Sequence, residues 1–164
     1  MQSGNEILLN LDNHEHLADS ELVSGLIELA KRDAHIEHNW NAHPTTERCL
    51  RDLKERMPRM KATHIAQIQL ILQRLGIMDT EMWELNSHHT LRLLHLYKAR
   101  DLAQFLDVFD APVTNHIGDE ITLTKAPEVF FERVIGILPM HVKSMTQHQV
   151  IRVLEVMNNR NIGS

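Results

Sequence analysis

Twelve histidines in 164 residues are the first feature that could do chemistry. His35-x-x-His38 shares one polar stretch with His43, and His14-Glu15-His16 forms a second cluster near the N-terminus. Zinc needs three or four such ligands converging tetrahedrally, usually with hydrogen bonds behind them that fix each imidazole. Neither cluster has a cysteine beside it or an H-E-x-x-H spacing. Solvated or capping histidines account for both, and the sequence assigns no metal ligand. His88, His89 and His95 fall on one helical stretch, where His88 and His95, seven apart, share a polar face.

Cys49 is the lone cysteine, so no intrachain disulfide is possible. It lies in an apolar helical stripe with Leu50 and Leu53, the setting of a small core residue and not of a nucleophile. Neither G-x-x-x-x-G-K-[ST], G-x-G-x-x-G nor G-x-S-x-G occurs, so phosphate cradles and nucleophile elbows lack local support. Glu47, Glu84 and Glu132 recur near helix starts, where the helix dipole favours a carboxylate without any acid–base role. No catalytic residue and no cofactor-binding residue is assigned, no cofactor is expected, and the chain is not expected to be an enzyme.

Arg48, Arg51, Lys54, Arg56, Arg59 and Lys61 cluster in one region, but Glu47, Asp52 and Glu55 are interleaved with them, as on a mixed solvated face. Single-stranded RNA would need a basic groove along its phosphates with side chains that stack on or read bases. A formal net charge of -5 and a pI near 6.2 do not forecast such a surface globally, although a local patch is compatible with them.

The elements that must position these residues are helices. With 43% hydrophobic and 24% charged residues, the chain fits one soluble globular domain. At this size it can bury roughly 70% of its unfolded surface and needs no disulfide or metal to fold. No stretch approaches the ~18 consecutive apolar residues of a membrane span, so no direct membrane insertion is expected. The first residues are neither a signal peptide nor an Arg-rich transit peptide, which leaves open a presequence removed earlier. Apolar spacing and start signals predict seven helices, over about 18–32, 44–57, 63–76, 79–97, 98–109, 127–138 and 146–158.

Residues 1–17 read as an N-terminal extension and 18–164 as one helical domain interrupted at 33–43 and 110–126. In the second interruption Gly118-Asp119 is placed to turn a small β-hairpin. Long loops in a compact domain more often carry function than idle. Candidate partner-binding residues are Trp40 in the first loop and Ile117, Ile121 and Leu123 in the second. Trp40 has two readings, an exposed binding anchor or a ring folded back on a neighbouring helix.

Four segments superimpose without gaps: Leu22-Val-Ser-Gly-Leu-Ile-Glu-Leu29, Ile65-Ala-Gln-Ile-Gln-Leu-Ile-Leu72, Leu102-Ala-Gln-Phe-Leu-Asp-Val-Phe109 and Val150-Ile-Arg-Val-Leu-Glu-Val-Met157. The preceding helices align too, matching Met57 with Leu94 and Val142, and Met60 with Tyr97 and Met145. A period in the high thirties with two helices per unit is the mark of an α-solenoid, in which neighbouring pairs share a core that none could build alone. The expected fold is all-α: a short solenoid of about seven helices in helix-turn-helix repeats. Its expected core includes Leu26, Leu53, Ile68, Leu72, Leu94, Leu102, Phe105, Phe131, Val150 and Leu154. A non-repeating bundle of similar amphipathic helices is the alternative.

With these helix pairs, and with Arg74-Leu-Gly-Ile-Met-Asp79 similar to the loop that closes a pentatricopeptide unit, the chain resembles the organellar helical-repeat proteins. These are the pentatricopeptide, octotricopeptide and FAST-kinase-type families. The resemblance spans residues 22–157, departs from the regular array in its few, interrupted units, and has no single diagnostic residue. Most specifically, it is to the pentatricopeptide-type accessory subunits on the F1 sector of euglenozoan mitochondrial ATP synthases. That resemblance implies a location in the mitochondrial matrix, as part of a complex at the matrix side of the inner membrane. It implies a structural, non-catalytic role against protein subunits such as F1 α. The wider families imply the competing reading, an organellar single-stranded RNA-binding repeat protein.

Overall fold

Helices begin where the sequence supplies a start. The structure, a computed structural model, describes residues 3–32 and 39–162. Ser3 and Glu6 form a reciprocal capping box at the start of α1 (Gly4–Leu11). The chain continues through α2 (Asp19–Ala30) to α3 (Pro44–Arg56), which opens on its proline. Next come α4 (Ala62–Arg74), α5 (Thr80–Arg92), capped by the Asp79 carboxylate, and α6 (Ala99–Asp110). A two-stranded hairpin of β1 (Val113–Thr114) and β2 (Glu120–Ile121) precedes α7 (Glu128–Ile137) and α8 (Gln147–Asn159). Thr146 and Gln149 make the capping box of α8.

Among the described residues the fold is all-α apart from that hairpin, and the helices form four pairs: α1/α2, α3/α4, α5/α6 and α7/α8. One turn design recurs inside every pair. The first helix tightens into a 3-10 turn at 14–16, 57–59, 94–96 or 142–144, and one extended residue follows: Leu17, Met60, Tyr97 or Met145. The next residue caps the second helix, so Leu22, Ile65, Leu102 and Val150 each lie four residues beyond a cap. The second helices stack in order, α2 on α4, α4 on α6, α6 on α8. They run parallel: Gln104 reaches the Ala66 carbonyl with both residues in the first half of their helices, and Arg160 at the end of α8 pairs with Asp110 at the end of α6. The first helices make the other layer, with α1 against α3 and α5 against α7. All four internal turns therefore line one edge of the molecule.

One expectation is corrected at the N-terminus: residues 3–17 are no separate extension, because Ile7, Leu8 and Leu11 of α1 are buried against α2 and α3 and complete a further helix pair. Of the two readings of Trp40 the structure takes the folded-back one: the residue is 7% exposed and its ring lies where a side chain on Gly4 would clash. The expected fourth helix stops at Arg92 and not at Tyr97, since the 3-10 turn intervenes and delivers Tyr97 inward in extended form.

The hairpin follows the expected plan. Val113 pairs with Ile121, Gly118 takes the left-handed conformation (φ +90°), and Asn115 Oδ1 accepts the N–H groups of Ile117 and Asp119. It rests on the end of α4, where Gly76 (φ +66°) leaves no room for a Cβ beneath the Thr114 carbonyl. Asn41 of the first loop donates to the Leu75 and Gly76 carbonyls, so both interrupting loops converge there. Of the expected core, Leu26, Leu53, Ile68, Leu72, Leu94, Leu102, Phe105 and Phe131 are buried. Val150 is only half-buried and Leu154 is exposed.

Candidate functional site

The misplaced Leu154 marks the most distinctive surface of the chain. Its register equivalents in the three earlier second helices are Leu26, Gln69 and Leu106, all at most 1% exposed, whereas Leu154 is 56% exposed. The same contrast runs along the turn: Met57 and Leu94 are buried while Val142 is 54% exposed. Met60 and Tyr97 are buried, yet Met145 is only half-buried.

The earlier positions are closed by the first helix of the following pair. On α4, Gln69 Nε2 donates to Thr90 Oγ1 of α5 at 3.0 Å, and Asn86 of α5 donates to the Ile65 carbonyl at 3.0 Å. On α6, Phe109 meets Phe130 of α7 with ring centroids 4.4 Å apart. Nothing among the described residues lies over α7 and α8 in the same way. The result is an open, almost wholly apolar groove of about 190 Å³ between them, lined by Ile135, Leu138, Val142, Met145, Leu154 and Met157, with Pro139, Val150 and Val153 completing it. Its walls are held firmly. Arg160 pairs with Asp110 and Glu128 and stacks on Phe131, and Arg152 meets Asp107 and Glu155.

The candidates read from sequence do not gather into one site. Ile117 is exposed at the hairpin tip, while Ile121 and Leu123 are half-buried, Leu123 packing on the core. Trp40 lies apart from them, inside the first two helix pairs. His35 and His38, with Asp33 and Glu37, lie outside the described residues. His43 Nδ1 accepts the Thr45 N–H at the start of α3, and His14 Nδ1 is 2.9 Å from Asp52. Among the described residues, no group of three His, Cys, Asp or Glu side chains is placed to hold a metal ion. Exposed His88 and buried His89 touch edge to face, and burial, reinforced by Arg92, holds His89 below the usual histidine range.

Cys49 is fully buried, its Sγ facing the Leu11 carbonyl, and burial followed by the nearby Asp52 charge pushes its thiol up to about 11. Of the clustered cations, Arg48 is tied to Asp12, Lys54 to Asp79, and Arg56 to Asp52 and Asp19. These three therefore fasten helix pairs to one another. Glu47 is in the first turn of α3 as the dipole argument requires, but at α5 and α7 that place belongs to Glu81 and Glu128, with Glu84 and Glu132 one turn further in.

The groove residues were missed because position in the repeat says which side faces the stack, while exposure depends on whether another helix follows. Alignment of Val142 and Met145 with Met57 and Met60 marked them as stack-facing. Among the described residues no further helix pair follows α8, and that leaves them uncovered.

No known protein-family profile matches the chain, and no curated protein is similar enough to count as a relative. The class is therefore defined by fold and site: an all-α protein of stacked helix pairs whose last pair presents an uncovered apolar groove.

Proposed function

We propose that the protein is a non-catalytic scaffold of the helical-repeat kind, which holds a partner protein by taking one of the partner's amphipathic helices into the α7–α8 groove. The observation that carries this reading is the exposure of Leu154 and Val142 at register positions that are closed in each preceding pair. The occupant is a helix because α5 and α7 are what close the equivalent grooves on α4 and α6. Aliphatic or aromatic residues at i, i+3, i+4 and i+7 would fill it, as in other helix-in-groove recognition. A second copy of the chain fits less well: the cleft at the opposite end of the stack is mixed, with Asn10, Glu21, Ser24 and Glu28 set around Ile7, Leu11 and Leu17, and would meet the almost wholly apolar groove with carboxylates.

The resemblance of the helix pairs to the accessory subunits on mitochondrial F1 supplies the partner to try first, the F1 α subunit, and the compartment, the mitochondrial matrix. The test is affinity purification of the tagged chain from gently solubilised mitochondria, with nuclease and salt washes. Recovery of F1 α and β in fixed ratio, lost on Leu154→Glu, supports the proposal. Each central apolar anchor of an interface is typically worth about 2 kcal/mol or more, so this substitution should weaken binding roughly thirtyfold. Recovery unaffected by Leu154→Glu sinks the groove reading. Recovery of RNA-processing or ribosomal proteins dispersed by nuclease favours the single-stranded RNA alternative.

A further inference from the structure

The edge formed by the second, third and fourth internal turns has a charge unlike the rest of the chain. Residues 57–66, 92–101 and 139–149 carry Arg59, Lys61, Arg92, Lys98, Arg100 and Lys143 against one acid, Asp101, in a chain of formal net charge -5. All six cations are exposed. None of the six forms an ion pair among the described residues, whereas Arg48, Lys54, Arg56, Arg152 and Arg160 all do.

The turns lie side by side. Tyr97 Oη donates to the Ala62 carbonyl, Arg92 donates to the Pro58 carbonyl, and Leu96, Lys98, Arg100, Thr63 and Gln67 line one open cleft of about 310 Å³. The parallel α4, α6 and α8 start here, and their N-termini add partial positive charge of the same sign. Glu55 borders the patch on α3. It ends at the first internal turn, where Glu15 and Glu21 are exposed and Asp12 and Asp19 are held by Arg48 and Arg56.

Three apolar side chains of these segments are exposed, Leu96 at 58%, Met140 at 83% and Val142 at 54%; Val142 belongs to the α7–α8 groove, which leaves Leu96 and Met140 among the cations. We propose that this edge docks the protein on an anionic membrane surface, with the lysines and arginines over lipid phosphates and Leu96 and Met140 dipping below the headgroups. Charge complementarity selects an anionic partner, and the apolar tips select lipid among such partners. Apolar side chains amid basic ones gain by leaving water at the headgroup boundary, and neither attraction alone gives stable attachment. Single-stranded nucleic acid would need a continuous stacking platform, but Tyr97, the sole Phe, Tyr or Trp of the three segments, is buried with its hydroxyl engaged, and the two exposed imidazoles, His95 and His148, stand on different turns. An acidic peptide would meet the cations yet leave both tips without apolar cover. The contact is peripheral, since no described helix is long and apolar enough to cross a membrane.

Flotation with phosphatidylcholine vesicles containing about one third phosphatidylserine tests this, with neutral vesicles and a single-stranded oligouridylate as comparison probes. The expected result is salt-sensitive flotation with anionic vesicles alone. The triple variant Lys61→Glu, Lys98→Glu, Arg100→Glu should lower the partition coefficient about tenfold or more, and Leu96→Ser with Met140→Ser several-fold. Reversal of Arg74 and Arg133, exposed cations away from this edge, should leave it unchanged. Every altered side chain is exposed, and thermal melts confirm that the variants fold. Absence of flotation, flotation that survives both edge variants, or an equal loss in the control overturns the proposal. So does oligouridylate binding lost in the triple variant while vesicles are ignored. Leu154→Glu should not alter flotation, so failure here and failure of the groove reading are distinguishable.

Discussion

Lys125 is the residue whose setting departs furthest from what its type prefers. It is 1% exposed, and its ammonium nitrogen donates to Gln73 Oε1 at 2.6 Å and to the Val108 carbonyl at 2.7 Å, over the face of Trp83. These contacts clamp the end of the hairpin segment to α4 and α6. Burial lowers its pKa to about 8 even though Asp110 and Asp107 pull the other way. Between that value and the ordinary 10.5, the unfolded chain holds a proton that the folded chain has released, so stability rises with pH across the window. Urea unfolding at about pH 8 and about pH 10 should show a gain on the order of 2 kcal/mol, absent in Lys125→Met. Above pH 10 buried Tyr97 opposes the trend, because its phenol keeps its proton in the fold after the unfolded chain has lost it. Nothing in the sequence around Lys125 announces burial, since its three partners come from three distant stretches of chain.

At the scale of elements, the first two helix pairs are joined by a polar clamp. Arg56 on α3 donates to the His14 and Leu17 carbonyls and to the Asp52 and Asp19 carboxylates, while Asp52 also meets His14. Burial alone would raise the Asp52 pKa, but the hydrogen bonds and charges of Arg56 and His14 outweigh it and hold the carboxyl below its usual range. Such a group contributes stability above the ordinary carboxylate pKa and loses it as pH falls through the lower folded value. Arg56→Ala should cost about 3 kcal/mol in denaturant titrations and move acid unfolding to higher pH, because two part-buried carbonyls and the Asp52 carboxylate lose their donor. An unchanged acid midpoint would show that the clamp is not what couples the pairs.

Element by element, legibility followed the length of the apolar pattern. Helices α2 to α8 carry stripes of three or four turns, and the hairpin carries its Gly118-Asp119 turn, so both were readable. Helix α1 has only eight residues. Its half-buried Gly4 and buried Ile7, Leu8 and Leu11 match Thr46, Cys49, Leu50 and Leu53 only after a one-residue shift at the Asp12-Asn13 turn, which hides the first pair from an ungapped alignment. For Trp40 both an exposed and a folded-back reading were legible, and the choice between them was not, since its place depends on a missing side chain at Gly4.

At the scale of the whole molecule, the stack is asymmetric in two directions. Along its axis, a mixed start gives way to an apolar end, which is where the site was not legible: the repeat dictates which side chains point inward without saying which of them another helix covers. Across the axis, the second to fourth internal turns are basic, whereas the opposite edge mixes Glu47, Glu81 and Glu128 at the starts of first helices with Lys31, Arg74 and Arg160 at the ends of second ones. Sequence order scatters the cations of the turns, and only the parallel alignment of the second helices brings them to one side. In a stack where each pair contacts only its neighbours, stability is roughly a sum of unit and interface terms. Among the described residues, helix α8 has a neighbouring second helix on one side only, so it lacks one of the interface terms that α4 and α6 have. Its backbone amides should exchange with deuterium well before those of α4, which is enclosed by α2, α5 and α6. Uniform exchange along α4, α6 and α8 would mean that the four pairs open as one unit. Graded exchange would make the last helix a reporter of occupancy: a helix seated in the groove would slow the amides of α8 first, leaving those of α2 and α4 at their original rates.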